Sequence, residues 1–327
     1  MTMYVLGLDC GGTSTQALLA AVTGEILGRG TGGPANYTSH GVKTVVESSK
    51  EAIEEALSQA QLDLDTVQSS GAVLAAGVSG ASRQQDQNHI TQAFQSEGFQ
   101  NIVITHDGVT ALYGALSGQD GVVVISGTGS IAFGKHGHET ARVGGWGYLL
   151  GDEGSGFKIS LQALQHIMWG HDGRGPQDPA LEEAALEYFQ ILSTEEFVPV
   201  LYRLPLDRAY IGGFTKVITT LAAAGNQTCI RILHHAGTEL GRLGRAAIER
   251  LHLMDQPGRV GACGGVFAAG SLIIQPMQDI ISTAAPGQIV VLPDSEPVVG
   301  AVLIGCEHLG LNLLKLGRIL GGKGAEY

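Results

Sequence analysis

Two glycine-centred segments with the same layout constrain the fold of this 327-residue chain most strongly. Residues 4–20 read YVLGLDCGGTSTQALLA, and residues 121–137 read GVVVISGTGSIAFGKHG. In each segment an apolar, β-rich stretch leads into a tight glycine turn and a second alternating stretch follows, which is typical of a β-hairpin. The turn at residues 12–15 aligns with the turn at residues 127–130 at a constant offset. This match indicates an internal duplication, with one hairpin in each domain.

The segments between and after the hairpins carry a mixture of helical and strand patterns. Residues 42–61 have apolar positions at helical spacing, and residues 71–80 and 101–108 each read as a buried strand that leads into a helix. Helical patterns dominate after the second hairpin, until a further strand and glycine turn at residues 259–270. Helices interleaved with strands predict an α/β fold.

Length and a glycine-rich break indicate two domains. A chain of 327 residues exceeds what one hydrophobic core usually supports. The sequence GALSGQDG at residues 114–121 ends a helical pattern just before the second hairpin, so we expect domains at residues 1–117 and 118–327. In the second domain, residues 285–297 are interpreted as a loop, and the C-terminal helix from about Val298 is free to pack back on the first domain.

Charge and composition exclude several classes of partner. The formal net charge of −12, with no local run of Lys or Arg, would repel both nucleic acid and an anionic membrane. The chain opens without a basic leader, and no stretch reaches 18 uncharged apolar residues, so we expect a cytoplasmic protein without a membrane partner. The cysteines form no CxxC pair, which argues against a zinc site or a disulfide framework; they are Cys10, Cys229, Cys263 and Cys306.

The first glycine turn has the composition of a phosphate and metal site. Asp9 ends a strand, so its carboxylate can face Mg²⁺ while the following amides face phosphate oxygens; these belong to Gly11, Gly12 and Thr13. The second turn supplies a matching set, Gly127, Thr128 and Gly129. The chain contains no P-loop lysine motif, so we predict that amides and Mg²⁺ neutralise the triphosphate of ATP. A plain strand-ending turn is the alternative interpretation of Asp9.

Two other motifs suggest different chemistry and carry less weight. Residues 127–132 (GTGSIA) match a relaxed dinucleotide fingerprint, but the residues after them alternate like a strand instead of opening a helix. Residues 77–81 (GVSGA) resemble the nucleophile elbow of a serine hydrolase, with alanine in the last position. We interpret the second motif as a strand-to-helix turn that could line a sugar pocket.

Asp107 is the candidate catalytic base. It follows the strand pattern NIVIT and opens a helical pattern, which is where α/β folds present catalytic groups. A carboxylate at this position can accept the proton of an attacking hydroxyl. Capping of the helix is an equally good interpretation, because Asp is a favoured N-cap residue, and one side chain can serve both purposes.

The segment GGWGYLLGDEGSG at residues 144–156 is the most specific feature of the sequence. It combines glycines, an aromatic pair and two adjacent carboxylates before a helical pattern. Aromatic faces stack on sugar rings, and carboxylates accept hydrogen bonds from sugar hydroxyls. A capped helix start explains the glycines and Asp152, but it does not explain Trp146 and Tyr148. Upstream, Asn36 lies in a GGPANY turn, where its amide could both donate to and accept from hydroxyls.

These motifs in this order resemble the BadF/BadG/BcrA/BcrD-type ATPases, and within them the N-acetylglucosamine and glucosamine kinase branch. The matching segments are LGLDCGGTSTQALL, GGPANY, THDGVTAL, ISGTGSIAFG, GGWGYLLGDEGSGF, GACGGVFAAG and EPVVGAVLIG. The resemblance implies an α/β actin-like ATPase fold, ribonuclease H-like, with duplicated domains and a cleft between two lobes. It further implies transfer of phosphate from MgATP to O6 of an amino sugar, and a homodimer.

The resemblance also implies roles for individual residues. Asp107 matches the catalytic carboxylate, and Thr13 and Thr128 match phosphate-contacting positions. The positions assigned to the sugar are Asn36, Ser130, Gly145, Trp146 and Asp152. The positions expected near the nucleotide are Gly213, Gly264 and Gly265. The chain departs from the commonest family pattern at His106, Gly108 and Lys158, where the family more often has Asn, Ala and an aromatic residue.

The resemblance leaves the acceptor open among close alternatives. N-acetylglucosamine is expected, and glucosamine and N-acetylmuramic acid are the alternatives. Another branch of the family activates 2-hydroxyacyl-CoA dehydratases through an iron–sulfur cluster that bridges two subunits, and the cysteines here do not match that pattern. A sugar-binding sensor without catalysis is a further alternative, against which the presence of Asp107 argues.

Overall fold

A computed structural model describes residues 2–202 and 205–320 of the chain. Its residue contacts divide the molecule into two compact units, Met1–Val123 together with Leu292–Tyr327, and Val124–Val291. These units differ from the domains expected from the sequence in two respects. The first break falls after Val123 instead of residue 117, and the C-terminal segment groups with the first unit. The chain therefore leaves the first unit, completes the second, and returns to the first.

The described residues form strands and helices in a mixed order, with a run of helices between β8 and β9. The strands are β1 (Tyr4–Cys10), β2 (Thr15–Ala21), β3 (Ile26–Gly32), β4 (Val73–Val78), β5 (Asn101–Thr105), β6 (Gly121–Ser126), β7 (Ser130–His136), β8 (Glu139–Gly144), β9 (Gly258–Cys263) and β10 (Gln288–Val291). The helices are α1 (Tyr37–Ala60), α2 (Leu64–Ser69), α3 (Gln84–Ser96), α4 (Asp107–Ala115), α5 (Gly156–His171), α6 (Pro179–Phe189), α7 (Phe197–Leu201), α8 (Arg208–Gly213), α9 (Thr215–Ala223), α10 (Gln227–Arg250), α11 (Ser271–Ser282), α12 (Pro297–His308) and α13 (Leu313–Leu320). Over these ranges the helices lack the combined length and apolar character that crossing a bilayer requires.

The first unit is built on a five-stranded mixed sheet in the order β3-β2-β1-β4-β5. The first three strands form an antiparallel meander, in which Cys10 of β1 lies opposite Thr15 of β2. β1, β4 and β5 run parallel to one another. Parallel strands need crossover connections, and α1, α2 and α3 supply them.

Both faces of this sheet are covered, as the continuous apolar pattern of its central strands requires. On one face Leu6 and Leu8 of β1 belong to a core cluster that includes Phe94 of α3. On the other face Val5 packs in a cluster with Val302 of α12. α12 therefore completes the core of the first unit by covering this second face of the sheet.

The second unit repeats the strand order of the first. Its sheet runs β10-β9-β6-β7-β8, so a three-strand run from β8 through β7 to β6 is followed by β9 and β10. β7 and β8 are antiparallel, and β9 and β10 are parallel. β6 and β7 are neighbours joined by three residues, a connection that only a hairpin allows. The duplicated α/β architecture and both hairpins predicted from the sequence are thereby confirmed.

One prediction about the fold is wrong. Residues 285–297 were expected to form a loop, but they contain the edge strand β10. The sequence pattern of this strand is weak, because the strand has only four residues and lies between a Pro-Gly pair and a further proline. In addition, its first residue, Gln288, is polar although it is buried. Nε2 of Gln288 donates to the carbonyl oxygens of Leu253 and Gln256, each at 3.0 Å. The C-terminal helix was placed correctly, since α12 begins at Pro297.

Candidate active site

Three neighbouring strands of the first sheet bring polar side chains to one edge. The register places Asp9 of β1 opposite Gly77 of β4, and Gly77 opposite Thr105 of β5. Parallel strands end on the same side of a sheet, which is where α/β folds place their ligands. Ser79, just after β4, and Asp107, just after β5, therefore gather near Asp9.

Asp107 is the first residue of α4, and the residue before it caps the helix. His106 has extended φ and ψ angles of −77° and 146°, and its Nδ1 lies 3.0 Å from the amide nitrogen of Gly108. The interpretation of Asp107 as the N-cap is therefore wrong, because the helix begins at Asp107 itself, one residue earlier than that role requires. Its carboxylate has a close side-chain partner, since Nδ1 of His106 lies 2.7 Å from Oδ1.

Asp107 and Asp9 differ in their charge state. Burial raises the pKa of Asp107, but the hydrogen bond and charge of His106, with further hydrogen bonds from Ser79 and the Gly108 amide, outweigh it and hold this pKa below its usual range. Burial, followed by the negative charge of Asp107, raises the pKa of Asp9 to about 7. At neutral pH Asp107 is therefore ionised, while Asp9 is divided between its protonated and ionised forms.

Thr110 connects the two carboxylates. It is fully buried on the first turn of α4, and its Oγ1 lies 2.7 Å from the Asp107 carbonyl oxygen and 3.4 Å from Oδ1 of Asp9. A Cβ at Gly77 would lie only 2.4 Å from the Thr110 side chain, so β4 needs glycine at this position for α4 to approach. The close approach keeps Asp107 and Asp9 in one cluster.

Asp9 has the surroundings of a partial cation site. A carboxylate whose pKa is raised by burial and by a second carboxylate carries negative charge that a divalent cation would neutralise. Within residues 2–202 and 205–320, no three His, Cys, Asp or Glu side chains converge as a complete metal cage. A cation at Asp9 would therefore keep water and substrate oxygens among its ligands, which is the coordination that Mg²⁺ prefers.

Asn36 is the N-cap of α1 and reaches the same cluster. Its Oδ1 accepts from the Ser39 amide at 3.0 Å, and its Nδ2 donates to Oγ of Ser79 at 3.0 Å. One amide hydrogen and one lone pair of the carboxamide remain for a ligand. The structure thus brings together Asn36, Asp107 and Asp9, which the sequence placed in one site.

The turn between β1 and β2 presents its tip to solvent. The amide of Gly11 donates to the Ser14 carbonyl oxygen at 3.0 Å and closes the turn, while Gly12 and Thr13 are exposed. A Cβ at Gly12 would meet no atom within 4 Å, so the fold itself does not require glycine there. Open space above a backbone amide is what the close approach of a phosphate requires.

In the second unit, the corresponding turn between β6 and β7 is hydrogen-bonded to the side chain of Asp152. Oδ1 of this buried carboxylate accepts from the Ser130 amide at 3.2 Å. A Cβ on Gly129 would lie 3.0 Å from the same oxygen, which makes glycine the residue that fits. The Gly145 amide donates to the Ser130 carbonyl oxygen at 3.1 Å. Three residues that the sequence assigned to a sugar, Ser130, Gly145 and Asp152, therefore form one cluster, with Thr128 exposed at the tip above it.

A cavity of about 420 Å³ opens beside this turn, entirely within the second unit. Its volume suits a small-molecule ligand. Four residues predicted to bind ATP line it, and they are Gly127, Thr128, Gly213 and Gly265. Gly264 does not line it. Glycine is required there by packing, because φ is +104° and a Cβ would lie 2.3 Å from the Ser126 carbonyl oxygen.

Trp146 lies on an exposed part of the second unit. Its side chain is 66% exposed, and the guanidinium of Arg142 lies 5.0 Å from the centre of its ring. Arg142 also donates from Nη2 to the Gly145 carbonyl oxygen at 2.8 Å. The arginine thus ties the indole to the Ser130 cluster and leaves most of the indole surface available for stacking on a ligand.

Three residues of the site were not assigned a role from the sequence. Ser79 lay in a motif interpreted as a turn that could line a sugar pocket, and its position beside β5 depends on the order of β4 and β5. Thr110 carried a usable signal, since it lies three residues after Asp107 on a helix. Lys216 lines the cavity of the second unit, but no local motif distinguishes it from other lysines.

The four thiols lie in the interior of the units. Cys10, Cys229, Cys263 and Cys306 are all buried. Burial raises the pKa of Cys10 and Cys263 to about 12. Neither thiol is therefore available as a thiolate ligand in this conformation.

Comparison with known proteins identifies relatives along nearly the whole chain. An N-acetylmuramic acid/N-acetylglucosamine kinase of Clostridium acetobutylicum is 28% identical over 303 residues, covering 92% of this chain and 97% of the relative. A glucosamine kinase of Vibrio cholerae is 28% identical over 304 residues, covering 92% and 95%. A crystal structure from Chromobacterium violaceum, provisionally described as an N-acetylglucosamine kinase, superposes with a TM-score of 0.73 at 27% identity, covering 93% of this chain and 99% of that one.

The family model agrees with these relatives and with the resemblance seen in the motifs. It matches residues 6–305, which include both hairpins, the Asp107 cluster and the cavity of the second unit. The chain belongs to the BadF/BadG/BcrA/BcrD ATPase family.

Proposed function

We propose that this sugar kinase transfers the γ-phosphoryl group of ATP to the 6-hydroxyl of an amino sugar, with N-acetylglucosamine as its acceptor. The observation that carries the proposal is the Asp107 carboxylate, which is ionised and lies 2.7 Å from Nδ1 of His106 at the ligand-binding edge of the first sheet. The relatives named above are kinases of amino sugars, and they are matched over more than nine tenths of this chain.

The chemical step requires one proton acceptor and one site for the departing charge. Asp107 accepts the proton of the sugar 6-hydroxyl as the oxygen forms its bond to the γ-phosphorus. The bond between the γ-phosphorus and the β–γ bridging oxygen breaks, and ADP leaves with the electron pair. The proton then passes from Asp107 to solvent after the sugar phosphate departs. The low pKa of Asp107 ensures that the carboxylate is ready to accept at neutral pH.

Asp9 is the residue that would hold Mg²⁺, directly or through a water molecule. When bound, Mg²⁺ supplies positive charge that neutralises phosphate oxygens. Asp9 must be ionised for this purpose, and its raised pKa means that a cation competes with a proton for the carboxylate. Thr110 keeps Asp9 oriented by the contact to Oδ1.

Two exposed turns and one cavity are assigned to ATP. The residues assigned to the phosphates are Gly11, Gly12, Thr13, Gly127, Thr128 and Gly129. The amides of Gly11 and Gly127 close the two turns, at 3.0 Å from the carbonyl oxygens of Ser14 and Gly129. The cavity beside Gly213 and Gly265 would take the nucleoside, with Gly264 shaping its wall through the packing against Ser126. Lys216 supplies a cation that the sequence motifs did not include. The family description as ATPases supports this assignment.

The acceptor sugar is assigned to polar residues named by the family resemblance and to one aromatic face. Asn36 and Asp107 would bind hydroxyls from the first unit. From the second unit the assigned residues are Ser130, Gly145, Trp146 and Asp152. Asp152 also supports the Gly129 turn, so its substitution would affect nucleotide and sugar together.

N-acetylglucosamine is proposed ahead of glucosamine and N-acetylmuramic acid because of the motif resemblance; the matched kinase of Clostridium acetobutylicum is named for N-acetylglucosamine together with N-acetylmuramic acid. We further propose a cytoplasmic homodimer, in line with the family resemblance. The activator of a partner enzyme is the competing function, and the burial of all four cysteines speaks against a cluster held between subunits in this conformation.

A coupled ADP-release assay with MgATP tests the proposal. The acceptors are N-acetylglucosamine, glucosamine, N-acetylmuramic acid and glucose, each confirmed by mass spectrometry of the phosphorylated product. We expect turnover with amino sugars, highest with N-acetylglucosamine. Steady ATP hydrolysis without any phosphorylated sugar would favour the activator, and sugar binding without turnover would favour the sensor.

A further inference from the structure

Two walls of the cavity in the second unit meet at the first residue of α5. One wall is the turn at residues 127–129, and the other is formed by α8 and the start of α9. The Gly156 amide donates to the Gly127 carbonyl oxygen at 2.8 Å. The Gly156 carbonyl oxygen accepts from Oγ1 of Thr215, also at 2.8 Å. A single residue of α5 therefore carries one hydrogen bond to each wall.

Glycine at two positions permits this close approach. A Cβ on Gly156 would lie 3.1 Å from the Gly212 carbonyl oxygen and 3.2 Å from the Gly127 carbonyl oxygen. A Cβ on Gly212 would lie 3.2 Å from the Phe157 amide nitrogen. Distances this short leave little room for a methyl group, so the start of α5 and the end of α8 pack backbone against backbone.

The Thr215 hydroxyl joins α9 to this junction. It has one hydrogen, and the Gly156 carbonyl oxygen can only accept, so Thr215 is the donor to Gly156. Oγ of Ser160 lies 3.2 Å from Oγ1 of Thr215 and 3.5 Å from the Gly212 carbonyl oxygen. Ser160 is fully buried and Thr215 is 7% exposed. Because little water reaches these hydroxyls, the loss of the hydrogen bond to Gly156 would not be made good by solvent.

We propose that Thr215 is a positioning residue for the nucleotide: its hydrogen bond to Gly156 sets the separation between the turn at residues 127–129 and the wall formed by α8 and α9. Thr215 also lines the cavity, one residue before Lys216. A cavity that already has its binding shape needs less ordering when the ligand arrives, and affinity rises accordingly. The inference rests on the proposed function for the identity of the ligand, which is ATP.

Calorimetry with ADP and Mg²⁺ measures the effect on binding without turnover. Thr215→Val replaces the hydroxyl with a methyl group of similar size, and Thr215→Ser keeps the hydroxyl. Thr194→Val is the matched control, because Thr194 is another buried threonine of the second unit, and its Oγ1 donates to Oε1 of Glu182 at 2.6 Å. We expect Thr215→Val to weaken ADP binding about fivefold, as loss of one buried hydrogen bond implies. Thr215→Ser and Thr194→Val should stay within about twofold of wild type.

Kinetics and thermal unfolding separate positioning from general stability. Thr215→Val should raise KM for ATP by about fivefold and leave kcat within about twofold, because Thr215 acts on binding and touches no reacting atom. Thr215→Val and Thr194→Val should lower the unfolding temperature by comparable amounts, since each removes the hydroxyl of one buried threonine. If both variants lose the same ADP affinity, the loss follows from destabilisation alone and the proposal is overturned.

Amide hydrogen exchange of the nucleotide-free protein tests the junction itself. We expect Thr215→Val to speed exchange in residues 126–130 and 211–216, and Thr215→Ser and Thr194→Val to leave these two segments as in wild type. Unchanged exchange at residues 126–130 in Thr215→Val would overturn the proposal, as would an unchanged affinity for ADP. If the wild-type protein binds no adenine nucleotide but exchange responds as expected, Thr215 holds the two walls as inferred and the proposed kinase function fails.

Discussion

Nδ1 of His106 lies 2.7 Å from Oδ1 of Asp107, while the same histidine caps the helix that Asp107 begins. Nδ1 without a hydrogen accepts from the Gly108 amide and caps the helix, whereas Nδ1 with a hydrogen donates to the Asp107 carboxylate. Asparagine is a favoured N-cap residue and could take over the capping. Helix capping and support of the carboxylate are therefore alternative functions of one nitrogen, and they depend on whether that nitrogen carries a hydrogen.

Substitution of His106 should separate these two functions. We expect His106→Asn to retain stability, because asparagine caps α4, and to lower kcat only by about threefold. His106→Ala loses the cap as well and should destabilise the protein by about 1 kcal/mol. Thermal unfolding and kcat on the same preparations check the prediction. A kcat for His106→Ala equal to that of wild type would show that the short contact to Asp107 does not support the base.

The pair Asp9 and Asp107 should make the ligand-free protein less stable as pH rises. The pKa of Asp9 is raised from 3.8 to about 7 in the folded state, so the folded protein binds a proton that the unfolded chain has lost. Stability therefore falls as pH rises between about 4 and 7, by an amount up to about 4 kcal/mol. Asp9→Asn should remove much of this fall, so that the variant unfolds at a higher temperature than wild type at pH 8 without Mg²⁺.

Chemical denaturation at several pH values measures this effect. Glu25→Gln is the control, because it removes one exposed carboxylate from the β2–β3 turn. The same Asp9→Asn variant should lose most of its Mg²⁺-dependent turnover. If stability falls with pH equally in wild type and Asp9→Asn, then the pKa of Asp9 is not raised in the folded protein. The argument for a cation at Asp9 would then fail.

Gly129→Ala should damage the phosphate turn through Asp152. The added methyl group would lie 3.0 Å from Oδ1 of Asp152, so that either the carboxylate or the turn must move. We expect KM for ATP to rise by about tenfold and stability to fall by about 1–2 kcal/mol. Gly175→Ala, where a Cβ would make ordinary contact with Trp169 at 3.4 Å, is the control. Unchanged ATP binding in Gly129→Ala would refute the role given to this turn.

Lys216 should contribute to nucleotide affinity. Its position on the wall of the cavity, beside Thr128 and Gly265, brings a positive charge to the proposed ATP site. We expect Lys216→Met to weaken ATP binding about tenfold, with a smaller effect at high salt because screening reduces the contribution of the charge. Calorimetry at two ionic strengths measures it, with Lys43→Met, an exposed lysine paired with Glu47, as control. Equal affinities for ATP in wild type and Lys216→Met would contradict the placement of the nucleotide in this cavity.

The parts of the fold with a strong local pattern were predictable. Both hairpins and the helix that begins near Val298 carry either a period of two with a glycine turn or an unbroken apolar run, and burial enforces these patterns. The strand β10 was not predictable, because its four residues include the buried Gln288 and its pairing partner lies about thirty residues away along the chain.

The candidate site was predictable where a functional side chain lies at or just after the end of a strand. Asp9 lies near the end of one parallel strand and Asp107 follows shortly after another, which is sufficient to place them at one edge. The position of Ser79 in this site was not predictable from sequence, because it depends on the order of β4 and β5 in the sheet. Lys216 was missed for the same reason, since a cavity wall is assembled from distant segments.

The most direct test of the account is the single-turnover rate of phosphoryl transfer by Asp107→Asn. Enzyme with N-acetylglucosamine already bound is mixed with MgATP, and sugar 6-phosphate is measured by rapid quench. We predict that binding of both substrates persists while transfer slows by at least about 100-fold, because asparagine has the shape of the carboxylate but cannot accept the proton. Transfer by Asp107→Asn within about threefold of the wild-type rate would contradict the assignment of Asp107 as the base.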